Sequence, residues 1–85
     1  MITYVREEQL EEIARKVWYM RRDKASRVNG NEKHANFKQV GLQGNSTQFP
    51  MRSGEWVRTG KLEISISYPK WDIPAIVRVR KYADQ

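Results

Sequence analysis

Leu10, Ile13, Ala14 and Val17 recur at spacings of three and four, Met20 extends the stripe, and Trp18 lies on its edge. That period is the mark of an amphipathic helix with one buried face. The pattern predicts a helix from about Arg6 to about Lys24. Glu7, Glu8, Glu11 and Glu12 fill its first turns, and Arg21, Arg22 and Lys24 its last, so both ends complement the helix dipole. Glu11–Arg15 and Glu12–Lys16 are i,i+4 pairs in the favoured order. Thr3 is the candidate cap, without a capping box because position 6 is Arg. Ile2, Tyr4 and Val5 leave a short leading strand open.

The period changes to two near the C-terminus. Leu62, Ile64, Ile66 and Tyr68 alternate with Lys61, Glu63, Ser65 and Ser67, which predicts a half-buried strand. Glu55–Thr59 reads as a short strand before it, joined through a tight turn at Gly60. Pro69 to Pro74 reads as a turn holding Trp71. Ala75–Tyr82 reads as the last strand, with Ala75, Val77 and Val79 on one face and Ile76, Arg78, Arg80 and Tyr82 on the other. Between Ala25 and Arg52 the pattern is weak. Asn29-Gly30 marks a tight turn, Phe37, Val40 and Leu42 suggest one irregular strand, and Phe49-Pro50 is expected to break any ladder. The simplest assembly is α+β: an N-terminal amphipathic helix packed on a three- to four-stranded antiparallel sheet. Its expected core is Leu10, Ile13, Val17, Leu62, Ile64, Ile66, Val77 and Val79.

At 85 residues, with no internal repeat or long linker, residues 1–85 are expected to form one small domain. There is no cysteine, so neither a disulfide nor a thiolate metal site can staple it. No apolar run resembles a signal peptide or a membrane span, and a cytoplasmic location is the expectation, with no membrane partner. On that basis the sequon Asn45-Ser46-Thr47 reads as chance.

Charge narrows the partner. Sixteen Lys and Arg against ten Asp and Glu give a net charge of +6 and a pI near 9.9, which favours an anionic ligand. From Ile13 to Lys38 there are eight basic residues and two acidic ones.

Catalysis finds little footing. His34 is the single histidine, expected on a solvated loop, and the Asp residues at 23, 72 and 84 are scattered. No strand–GxSxG–helix signature marks a nucleophile. The segment from Gly41 to Ser46 lacks the Lys-Ser/Thr ending of a phosphate cradle, and the GxxG letters at 41–44 stand without the helices of a KH-type fold. Arg78, Arg80, Lys81 and Tyr82 offer groups that a metal-free ribonuclease uses, but the remaining parts go unfilled. The expectation is a non-enzymatic protein without a cofactor.

Two basic surfaces remain. On the helix wheel Arg15, Tyr19, Arg22 and Ser26 share one side, with Lys16 and Arg27 on the other flank. Arg21 and Lys24 fall within the apolar stripe, where their stems snorkel or reach a ligand. On the sheet, Arg78, Arg80 and Tyr82 interleave cations with a ring, an arrangement suited to stacked bases and phosphates. The plain alternatives are a solvated helix face and cross-strand pairing of Glu63 with Arg78 or Arg80. Trp56 is expected to close the core, and Trp71 is left as core or interface. The expected function is a small nucleic-acid-binding protein, DNA or RNA, acting through Arg15, Lys16, Arg22, Lys24, Arg27, Arg78, Arg80 and Tyr82. The alternative is an adaptor or inhibitor docking its basic face on an acidic protein surface, as a phage or mobile-element accessory factor would; a homodimer is left open.

Overall fold

The computed structural model describes residues 2–21, 25–28, 31–41, 49–68 and 74–81. In chain order they form β1 (Ile2–Val5), α1 (Glu7–Trp18), β2 (Ser26–Val28), β3 (Glu32–Asn36), a 3-10 helix (Phe37–Val40), β4 (Phe49–Arg52), β5 (Trp56–Thr59), β6 (Leu62–Ser67) and β7 (Ile76–Lys81).

The two strands with the clearest alternation form the centre. β6 and β7 pair antiparallel, with Ile64 opposite Val79 and Ile66 opposite Val77. All four side chains are fully buried. β5 joins through the hairpin at Gly60, and β3 adds on the far side of β7. This antiparallel set of β3, β7, β6 and β5 carries α1 on one face, and the three-residue β2 extends its edge beyond β3. The expected α+β arrangement is therefore the observed one, and each of its eight expected core residues is buried. Leu10, Ile13, Ala14 and Val17 supply the helix side of that core. At roughly 1.5–3 kcal/mol per large side chain buried, this apolar layer is what holds helix to sheet.

Several local expectations are corrected. The helix stops at Trp18 rather than near Lys24, because the backbone leaves helical geometry at Tyr19 (φ −97°, ψ 6°). Arg6, not Thr3, holds the N-cap position, and its side chain makes no capping hydrogen bond. Phe37–Val40 is a 3-10 helix, not a strand. It is fixed by reciprocal bonds: the Gln39 amide donates to Asn36 Oδ1 and the Asn36 amide to Gln39 Oε1, both 2.9 Å. Phe49-Pro50 does not end a ladder. β4 pairs with β1 in a separate two-stranded ribbon, Pro50 opposite Tyr4. In a two-stranded ribbon alternate amides face away from the partner, so a residue without an N–H is tolerated. His34 lies in β3, half-buried, rather than on a loop. β2 and β3 form an antiparallel pair; the turn expected at Asn29-Gly30 lies outside the described residues, as do Leu42, the 45–47 sequon and Trp71.

Candidate nucleic-acid interface

The sheet has a second face, turned away from α1. Register puts Glu32, His34 and Asn36 of β3, Arg78 and Arg80 of β7, Glu63 and Ser65 of β6, and Trp56 and Arg58 of β5 on it. Trp56 is here, half-buried, and not at the end of the core. The guanidinium carbons of Arg80 and Arg78 stand 3.8 and 5.0 Å from the centroid of its ring. Each arginine also holds a carboxylate. Arg78 binds Glu32 through Nη2 to both carboxylate oxygens (2.9 and 3.0 Å) and through Nε to Oε1 (3.2 Å). Arg80 Nε donates to Glu63 Oε1 at 2.9 Å. The result is a cross-strand ladder from β3 to β5 in which acid, cation and indole alternate. Ser65 lies within it, its hydroxyl buried and without a hydrogen-bond partner. The cross-strand pairing considered from the sequence is present for Glu63 with Arg80, whereas Arg78 is held by Glu32, which was not considered.

A different concentration of charge lies where α1 ends. A groove of about 850 Å³ runs between the last turns of the helix and the β5–β6 hairpin. Among the described residues, Arg15, Arg58, Lys61 and Lys81 line it with one carboxylate, Glu11, and with Trp18 and Tyr19 beside them. Local sequence explains the assembly. The helix closes with the Tyr19 amide on the Arg15 carbonyl (3.0 Å) and the Met20 amide on the Val17 carbonyl (3.2 Å). The Trp18 carbonyl accepts from Lys33 Nζ. The Arg15, Val17 and Trp18 carbonyls of the helix end are thereby satisfied, and a cation sits at the negative pole of its dipole. The same ammonium lies 4.5 Å from the Trp18 ring centroid, and Lys81 Nζ lies 5.7 Å from it. Trp18 is half-buried against the core, whereas Tyr19 is 78% exposed, the one large hydrophobic side chain among the described residues to stand out so far.

The hairpin supplies the opposite wall. Gly60 has φ +68°, a conformation that L side chains rarely adopt. A Cβ there would meet Glu11 Oε2 at 2.9 Å, so helix and turn approach closely because the residue is glycine. Arg58 Nε donates to the Gly60 carbonyl at 3.2 Å. Glu11 is engaged by Arg15 (3.0 Å), an exposed i,i+4 pair. Lys61 is exposed at the turn and has no carboxylate partner among the described residues.

The expected site residues are therefore dispersed. Arg15 lines the groove. Lys16 points elsewhere, its Nζ 3.4 Å from the Val40 carbonyl. Arg78 and Arg80 belong to the sheet ladder, and Arg27 is on β2 opposite Lys33. Arg22, Lys24 and Tyr82 lie outside the described residues. Because α1 ends at Trp18, only part of the expected wheel forms: Arg15 and Tyr19 both line the groove, whereas Ser26 is in β2. Lys61, Lys81 and Arg58 were not among the expected site residues. Lys81 had a signal: it continues the inward Val77–Val79 alternation beyond the apolar core, where its ammonium lies over the Trp18 ring.

No helix of the described residues is long and apolar enough to cross a membrane. Nor do the described residues contain a group of three or more His, Asp or Glu placed to hold a metal ion. No protein-family model, curated protein or solved structure matches the chain.

Proposed function

We propose that this protein binds nucleic acid through the groove between α1 and the β5–β6 hairpin. One observation carries the reading: among the described residues, basic residues on the helix, the hairpin and the end of β7 line the groove with one carboxylate, beside an exposed tyrosine. Cations hold phosphates without regard to sequence, and a ring offers a base something to stack on. The groove is read as holding a ligand through its cations and its ring, and the protein as non-enzymatic. It carries a cytoplasmic location with it. The test is affinity for a labelled oligonucleotide as a function of salt. Log affinity should fall linearly with log salt, and Lys61→Ala with Lys81→Ala should flatten the slope by about 0.7–0.9 for each phosphate that is no longer neutralised. Absence of binding at low salt refutes the reading.

The sheet ladder favours a second reading. Trp and Arg are the residues that most often anchor protein interfaces, and Glu32 and Glu63 leave that face close to neutral. An adaptor docking there would bind its protein partner with Trp56, Arg78 and Arg80 and show no oligonucleotide affinity.

A further inference from the structure

We infer that the ligand of the groove is a single strand, with one of its bases unstacked against Tyr19. The inference rests on the nucleic-acid reading and narrows it. Three features favour a single strand over a duplex. First, the ring offered is in a concavity beside the end of a helix. A duplex keeps its bases stacked on one another and presents phosphates outward, so it has no π-face for such a ring. Second, α1 is unsuited to entering a major groove. One side of it is buried on the sheet, and Glu8, Glu11 and Glu12 are exposed along its first turns, where a duplex backbone would pass. Third, the cations stand on opposite walls, Arg15 on the helix and Lys61 on the hairpin, with Lys81 at the end of β7. A flexible chain can thread between such walls with its phosphates near each in turn.

Tyr19 is the central residue. An aromatic side chain 78% exposed contributes little to the core and leaves its ring accessible to a ligand in the groove it lines. Trp18 beside it is covered by two ammonium groups, which leaves the tyrosine as the ring open to a base. Lys33, on the Trp18 carbonyl, offsets the negative helix end that would otherwise repel a phosphate here.

The experiment compares fluorescence anisotropy of an oligothymidylate and an oligouridylate, each about eight nucleotides long, with a duplex of the same length and with thymidine monophosphate. Single strands should bind more tightly than the duplex, and the two strands separate DNA from RNA as the source. Tyr19→Ala should weaken single-strand binding about 5- to 150-fold, the worth of one stacked base, and Tyr19→Phe should retain it. The exposed position leaves the variant folded, which circular dichroism checks. Equal affinity for duplex and single strand, with Tyr19→Ala unchanged, overturns the single-strand inference and leaves the groove reading standing. Equal affinity for the mononucleotide and the strand also overturns it, since then no chain is threaded. No binding of any probe at low salt overturns both.

Discussion

Arg78→Ala separates a structural arginine from a ligand-binding one. The side chain donates three hydrogen bonds to Glu32, whose side chain is 7% exposed, while the Arg78 side chain is itself 39% exposed. Removing one partner of a fully buried pair costs about 3–5 kcal/mol. Here water reaches the guanidinium side and can rehydrate the carboxylate, so the pair term falls to about 1–3 kcal/mol. Removing the cation from the Trp56 ring, 5.0 Å away, adds about 0.5 kcal/mol. The expected destabilisation is about 1.5–3.5 kcal/mol. For a domain of this size each kcal/mol lowers the melting temperature by about 4–8 °C, so a fall of roughly 6–28 °C is expected. Arg80→Ala should cost less, because it breaks one bond to Glu63, although its stack on Trp56 at 3.8 Å is closer. Urea unfolding followed by circular dichroism measures both, and a double-mutant cycle with Glu32→Ala isolates the pair. A cost below about 0.5 kcal/mol for Arg78→Ala, together with abolished oligonucleotide affinity, would show that the guanidinium serves the ligand and would refute the ladder as a structural device.

Two further perturbations test the geometry of the hairpin and of the sheet. Gly60→Ala forces a Cβ onto a backbone at φ +68° and should cost about 1–2 kcal/mol from that strain. The approach to Glu11 is cheap to relieve, since it gives up only an exposed pair with Arg15. Thermal unfolding of the cycle with Glu11→Ala should therefore show coupling below about 0.5 kcal/mol, and a larger value would locate the cost in the close approach. Ser65→Ala removes a buried hydroxyl that has no hydrogen-bond partner and should leave stability unchanged or raise it by about 1 kcal/mol. Destabilisation beyond about 1 kcal/mol in chemical denaturation would mean that the hydroxyl is satisfied.

The parts of the fold legible in the sequence are those where burial follows a local period. Leu10, Ile13 and Val17 repeat at helical spacing, and Leu62, Ile64 and Ile66 at strand spacing; all are buried as that spacing implies. β3 was hidden because its burial is not apolar. Glu32 is covered by Arg78 from 46 positions along the chain, and Lys33 turns inward onto Trp18. Only Ala35 in Glu32–Asn36 is a buried hydrophobe, so no alternation could be seen. The end of α1 was hidden for a related reason. Neither Gly nor Pro follows Trp18, and its carbonyl is capped by a lysine 15 residues away. The candidate groove inherits the second gap, because one of its walls depends on where the helix stops.

The division of labour between the two kinds of cation bears on what the groove can recognise. Arginine has a planar fork that matches a carboxylate and a flat face that stacks on a ring, and Arg78 and Arg80 use both on the sheet. Their positive charge is thereby largely neutralised inside the molecule, although both are among the ligand-binding cations expected from the sequence. Lysine is a hydrated point charge on a flexible stem, and Lys61 and Lys81 present such charges at the groove. Point charges find phosphates but do not read base edges, and an exposed tyrosine accepts the face of any base. A site built this way gains affinity from the length and flexibility of the strand it threads, and base identity has little to act on.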